Sequence, residues 1–449
     1  MDRSIYSERV LLNNDFIEAT VFLNNGKISS IETGYVEREG CLMDNCGSYV
    51  VMPGLIDSHV HINEPGRTEW EGFVTATSAA AAGGITTLVD MPLNSSPVSV
   101  SKDFFFAKIK STENKMKVDC GFWGGLIPNN IENLEELINS GVLGIKAFLT
   151  HSGIDEFPNV TERDLREAMP ILKKNNTMLL VHCELDSDHS GKKLLEENPT
   201  SYLAYLSSRP KEWEDKAIAL MIQLCEEYGV RTHIVHLSSA NSLDQLNKAK
   251  QKGLPITVET CPHYLFFNAE EISDAKTEYK CAPPIREQDN NAQLWRALKE
   301  GEIDFVVTDH SPAPPELKEL ESGDFQKAWG GIAGLQFSLP VFWTKAKEYN
   351  LTVENVSQLM SSNVARFLEL DDRKGKIAIG FDADITVWNP EGKITIQEKD
   401  VLHKHSTSPY LNKELFGEVI KTYLRGEIVY QKNITNDSFI GEAILLKKN

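Results

Sequence analysis

The chain has 449 residues, 41% of them hydrophobic and 25% charged, which suits a large globular fold with a satellite domain rather than one small core. A net charge of −19 argues against nucleic acid or an anionic membrane surface as a partner, and no run approaches the ~20 apolar residues that cross a bilayer. Seven cysteines, odd in number and without a Cys-x-x-Cys, point to reduced thiols rather than a disulfide framework. Met1-Asp2-Arg3-Ser4-Ile5-Tyr6 opens no signal-peptide core, so a cytoplasmic location is expected.

The first ~50 residues predict short strands. Glu18–Leu23 and Ile28–Ile31 flank Asn25-Gly26, a strong hairpin signal. From about 54 to 368 apolar strands alternate with helical stretches. The strands expected are Leu55–His59, Thr86–Asp90, Gly121–Leu126, Val142–Phe148, Met178–His182, Thr232–His236, Ile256–Glu259 and Ile303–Asp309. Helices are expected at Gly72–Ala82, Asn133–Ser140, Glu162–Asn175, Trp213–Tyr228, Ala240–Lys252 and Asn291–Glu300. Eight strand–helix steps predict an α/β fold, a (β/α)8 TIM barrel with its active site at the carboxyl ends of the strands. An open doubly wound sheet is the alternative, but no Gly-x-Gly-x-x-Gly follows an early strand. Beyond Asn363-Val364-Ala365-Arg366 short strands and glycine turns return, including Gly380-Phe381-Asp382-Ala383-Asp384. The two ends are therefore expected to form one small β-sandwich domain, residues 1–53 with 369–449, into which the barrel of 54–368 is inserted.

Asp57-Ser58-His59-Val60-His61 sets two imidazoles on one face of the first strand. Alone, such a pair is an ordinary feature of a half-buried strand. Here Lys146 follows on strand four, His182 on strand five, His236 on strand six and Asp309 on strand eight, all at one barrel face. Eleven histidines would place one or two there by chance, not four together with an aspartate. Imidazole and carboxylate suit zinc and neighbouring divalent ions. A bare ammonium is no ligand, but Lys146 lies in the apolar run Gly144-Ile145-Lys146-Ala147-Phe148. Burial would expose its neutral amine, which can capture carbon dioxide as a carbamate that bridges two metals.

This constellation resembles the amidohydrolase superfamily over essentially the whole chain, and within it the cyclic-amidohydrolase branch. The resemblance implies a metal-dependent hydrolase with two divalent ions, zinc first, with manganese, cobalt and iron also fitting. His59 and His61 would bind one ion and His182 and His236 the other, with carboxylated Lys146 as the bridge. Asp309 would bind the first ion and shuttle protons for a bridging hydroxide.

Dihydroorotases of that branch carry arginine, asparagine and histidine where this chain has Asn63, Leu93 and Ala313, so an anionic ring is disfavoured. Glu64-Pro65-Gly66-Arg67 and Ala328-Trp329-Gly330-Gly331-Ile332-Ala333-Gly334 are instead similar to the allantoinase family. That likeness implies a small neutral cyclic ureide as substrate, opened in purine breakdown, and a homo-oligomer (tetramer or dimer). Asn63, Asn94, Cys281, Ser311, Gly330 and Gly331 are the expected substrate contacts. A hydantoinase or dihydropyrimidinase would share all six ligands and differ only in these loops. A silent scaffold relative would typically have lost ligands that this chain keeps.

Overall fold

The computed structural model describes residues 3–187, 189–434 and 439–446. Met1, Asp2, 435–438 and 447–449, parts of the expected terminal unit, lie outside the described residues. Arg3–Leu12, Asp15–Asn24 and Lys27–Thr33 form an antiparallel meander. Its second turn has Asn25 at φ 48° and Gly26 at φ 76°, the doubly left-handed turn that Asn-Gly favours. Val50–Pro53 joins the first strand in parallel and Ile385–Thr395 antiparallel, pairing Val51 with Val387. Glu414–Leu424 and Glu427–Gln431 extend the same sheet, and Leu42–Asn45 attaches beside the first strand. Both ends of the chain thus share one eight-stranded sheet. Ile5, Val10, Val21, Val51, Ile385, Val387 and Tyr423 bury one side of it.

Between the ends lies a run of parallel strands, labelled here β1 (Leu55–Val60), β2 (Ile85–Asp90), β3 (Asp119–Phe122, continued by Gly124–Gly125), β4 (Ile145–Phe148), β5 (Leu179–His182), β6 (Thr232–Ile234), β7 (Ile256–Thr260) and β8 (Phe305–Val306). Each pairs in parallel with the next, with the Gly124–Gly125 continuation carrying the β3–β4 contact. Four residues past β8, His310 bridges in parallel to Val60 of β1, and the His61 N–H donates to its carbonyl at 2.8 Å. β1, β2, β4 and β5 are buried along their whole length, as strands covered on both sides must be. Gly54 lets the terminal sheet approach this region: a Cβ there would stand 2.2 Å from Thr86 Oγ1.

The expected helices appear within a few residues of their predicted ends, except that Ala240–Ser242 is a 3-10 turn leading into Leu243–Gln251. Lys102–Ser111, capped by Ser101, is an additional helix that the sequence pattern hides. Its three consecutive phenylalanines have no helical period, and only Phe105 is buried while Phe104 and Phe106 are exposed. Ser190–Glu197 and Tyr202–Ser208 add two more helices between β5 and β6.

Asp382 and Asp384 of the Gly-x-Asp-Ala-Asp element form a buried ionic junction. Lys374 Nζ lies 2.9 Å from Asp119, 2.5 Å from Asp384 and 3.5 Å from Asp382, and Arg425 reaches Asp119 at 2.5 Å. Asp119 belongs to β3, so this cluster ties the terminal sheet to the parallel strands.

Candidate metal centre

The carboxyl ends of the parallel strands open into a cleft of about 550 Å³. His59, His61, His182, His236 and Asp309 line it, with Asn94, Phe148, Arg209, Lys280, Ser311, Trp329 and Gly330. A larger cavity of about 670 Å³ opens among the amino ends of β6 and β7, lined by Arg231, Thr257 and Arg366, and contains none of the candidate ligands.

His59, His61 and Asp309 offer ligand atoms that all lie within 4.8 Å of one another. Asp309 Oδ1 is 3.2 Å from His59 Nε2 and 3.3 Å from His61 Nε2. The Glu259 carboxylate stands 2.5 Å from the other nitrogen of His59, so Nδ1 carries the proton and Nε2 turns its lone pair toward Asp309. The Asn94 Nδ2 lies 3.4 Å from His61 Nδ1 while Asn94 Oδ1 has no partner, and turning the amide over would let Oδ1 accept from an Nδ1–H tautomer of His61 and free its Nε2 lone pair. Lone pairs facing a carboxylate oxygen with no proton between them are the arrangement a cation satisfies.

The remaining predicted ligands border this group. His236 stacks on His59 with ring centroids 5.3 Å apart, and His182 meets His236 at 4.6 Å. His182 Nε2 donates to Glu184 at 2.7 Å, which leaves Nδ1 as its free lone pair. His236 Nδ1 is buried without a partner. So is Nζ of Lys146, a residue with no exposed surface. An ammonium there would leave three donors unused, whereas a carboxylated amine would present two ligand oxygens. The donor set therefore fits divalent metal ions.

Electrostatics favour the ligand forms. Burial drives His59 and His236 far below the usual imidazole range, and lowers His182 although Glu184 opposes it. Burial likewise lowers Lys146 to about 8 against the pull of Glu259 and Asp309. Burial pushes Glu259 up to about 8, but the His59, His233 and His236 N–H groups all face it and select its carboxylate form. Two candidate ligands sit in left-handed backbone conformations, His236 at φ 39° and Asp309 at φ 46°, and Asn94 does so at φ 73°. Such strain clusters at sites whose geometry the surrounding fold over-determines.

Three expected substrate contacts are not among the residues that line the cleft. Asn63 is fully buried, with both side-chain polar atoms unpartnered, behind the loop that returns to Glu71. Cys281 is buried with its carbonyl held by the Tyr205 hydroxyl, and Gly331 is buried with its N–H donating to the Lys280 carbonyl. Asn94, Ser311 and Gly330 do line the cleft. The groups that orient the ligands went unpredicted. Glu259 was legible as a charged residue closing the apolar strand Ile256-Thr257-Val258-Glu259, the same signal that marks the ligands. Asp57 accepts from the His59 and Thr308 N–H groups and so aligns both sides of the centre. Arg209, which pairs with Glu184, comes from the end of a helix that had no sequence signal.

The model of the amidohydrolase family matches residues 50–429. The chain is 45% identical over 443 residues to an allantoinase of Arabidopsis thaliana, covering 95% of this chain and 87% of that protein. It is 44% identical over 422 residues to an allantoinase of Streptomyces avermitilis, covering 94% of each. Among solved structures, the L-hydantoinase (dihydropyrimidinase) from Arthrobacter aurescens superposes with a TM-score of 0.93 at 27% identity, over 99% of this chain and 100% of that one. With a family match over most of its length and the histidine–aspartate cluster at the strand ends, this chain belongs to the amidohydrolase family.

Proposed function

We propose that the chain is an allantoinase, which opens the hydantoin-ring amide of allantoin to give allantoate in ureide breakdown. The observation that carries this reading is its 45% identity to the Arabidopsis allantoinase over nearly the whole chain. The hydantoinase alternative has a close match in fold but only 27% identity.

In this reading His59, His61 and Asp309 would hold one divalent ion and His182 and His236 a second, and Lys146, carboxylated on its neutral amine, would supply oxygen ligands to the centre. Zinc suits this nitrogen and oxygen set, with manganese, cobalt and iron compatible. When bound, such ions supply Lewis acidity toward the ring carbonyl and lower the pKa of water. Asp309 takes the proton from the attacking water and delivers it to the departing ring nitrogen, a task that its position at the cleft wall suits. Asn94, Ser311 and Gly330 are the proposed contacts to the ring and its ureido arm.

The parallel strands are read as a (β/α)8 barrel over 54–368, supported by seven successive parallel pairings and the His310–Val60 bridge. The joint sheet of the two ends supports a separate β domain of 1–53 and 369–449. Seven free cysteines support a reducing, cytoplasmic setting. A homo-oligomer, dimer or tetramer, rests on the family resemblance.

The test is turnover on allantoin, hydantoin, dihydrouracil and dihydroorotate, with metal content measured on the same sample. Preference for allantoin at about two ions per chain is expected. Preference for dihydrouracil would move the assignment to the dihydropyrimidinases, and full activity without metal would overturn the site.

A further inference from the structure

Lys318 is a buried cation that the proposed chemistry does not use. Only 3% of its surface is exposed, and it closes a 3-10 turn, Pro315–Lys318, beside the cleft. Its Nζ donates to three backbone carbonyls: Gly331 at 2.8 Å, Trp329 at 2.9 Å and Lys280 at 3.2 Å. A neutral amine has two N–H donors, so three acceptors select the ammonium form. Burial opposes this, lowering the group to about 7, and no carboxylate is paired with it among the described residues. A buried charge held by carbonyl oxygens alone is costly and calls for a compensating role.

The three carbonyls belong to two loops that both reach the cleft. Lys280 and Ala282 line one side, Trp329 and Gly330 the other. The Gly331 N–H also donates to the Lys280 carbonyl at 2.9 Å, and Lys280 Nζ donates to the Ala328 carbonyl at 2.5 Å, so the loops already face each other where Lys318 binds both. A trans peptide sets its C=O and N–H in opposite directions. Turning the Trp329 carbonyl inward to Lys318 therefore turns the Gly330 N–H away from it. That N–H has no partner among the described residues, and Gly330 lines the cleft.

We infer that Lys318 is a positioning residue: its ammonium staples the 280–282 and 329–331 loops together and so presents the Gly330 N–H to a carbonyl of the bound substrate. The inference deepens the allantoinase reading and rests on it for the identity of that carbonyl. It assigns Lys318 no contact with the substrate or with a metal.

The experiment compares the metal-loaded wild-type protein with Lys318→Met by hydrogen exchange, metal analysis and steady-state kinetics. Exchange should speed up selectively in peptides covering 280–282 and 328–332, with metal content unchanged. KM for allantoin should rise about tenfold, with a smaller change in kcat, as expected for one lost hydrogen bond to substrate. Unchanged exchange in both loops, or an unchanged KM, would overturn the inference. So would loosening throughout the chain with loss of metal, which marks a merely structural role. If Lys318→Met does not fold, Lys318→Gln replaces it, and the same loop exchange and KM decide. A wild-type protein inactive on allantoin would sink the allantoinase reading, while the exchange comparison still judges the staple.

Discussion

The Glu259 carboxylate lies 2.5 Å from His59 Nδ1, and both groups are buried to within about 1% of their surface. The same carboxylate takes His233 Nε2 at 3.0 Å and the backbone N–H of His236 at 3.3 Å. One side chain on β7 therefore fixes the tautomer of a candidate ligand on β1 and the backbone of a candidate ligand just after β6. The two halves of the proposed metal centre are oriented by a common group.

Glu259→Gln should accordingly weaken metal binding at both positions. The amide keeps the shape, but its NH2 group must face at least one N–H donor, and the negative charge behind the His59 imidazole is lost. Partners of this kind typically contribute ~10–100-fold in metal affinity. Competition with a chelator at fixed pH, read as ions retained per chain, measures the effect. Retention equal to that of the wild-type protein would show that Glu259 does not orient the ligands.

Lys146→Ala should remove the proposed bridge and leave a small apolar void beside Phe148, whose ring lies 5.1 Å from Nζ. Activity should fall to background and metal content below that of the wild-type protein. Acetate or propionate, small enough to enter the void with a carboxylate forward, should restore part of both. Turnover undiminished by the substitution would exclude a carboxylated lysine.

Much of the proposed centre was legible because each candidate ligand lies in or just after an apolar strand. His59, Lys146 and His182 stand within β1, β4 and β5, while His236 and Asp309 come two and three residues beyond the ends of β6 and β8. A polar residue where burial is otherwise complete is a local signal, readable from neighbours in sequence. The orienting shell is a property of tertiary contact. Glu259 and His59 are 200 positions apart, and Arg209 reaches Glu184 only because Tyr202–Ser208 forms an unforeseen helix. The substrate contacts were the least legible, since which way a loop peptide turns depends on partners such as Lys318. Gly331 shows this, because it was expected among the substrate contacts and its N–H is instead taken by the Lys280 carbonyl.

The junction between the terminal sheet and the parallel strands offers a stability test. Lys374 is 1% exposed and faces Asp119 and Asp384, which are 2% and 4% exposed. Lys374→Met would leave these carboxylates buried with Arg425 as their remaining cation. Breaking one partner out of a buried ionic group costs about 3–5 kcal/mol. A lowered urea midpoint is expected, with full metal content in the surviving folded fraction because none of the ligands is touched. A midpoint within experimental error of the wild-type value would mean that the cluster contributes no net stability.

Arg209 and Glu184 make a comparable prediction with a pH signature. Burial would raise Glu184, but Arg209 and His182 outweigh it and hold the carboxyl at about 2. Its folded value lies below the ordinary value of 4.5, so the carboxylate adds stability that is fully present above that value and is lost as pH falls toward 2. In Arg209→Met the same carboxyl is buried beside His182 without its strongest cation, and its folded value rises. The variant should be less stable by about 3–5 kcal/mol near pH 7.5, the usual cost of removing one member of a buried pair. As the pH is lowered toward 5, Glu184 of the variant takes up a proton and becomes neutral, while that of the wild-type protein stays ionised. The stability gap should therefore narrow with acidification, read from urea midpoints of the two proteins at pH 7.5 and pH 5. A gap that stays constant or widens would show that Arg209 acts through packing on Trp213, whose ring lies 5.6 Å from its guanidinium carbon, and not through the charge of Glu184.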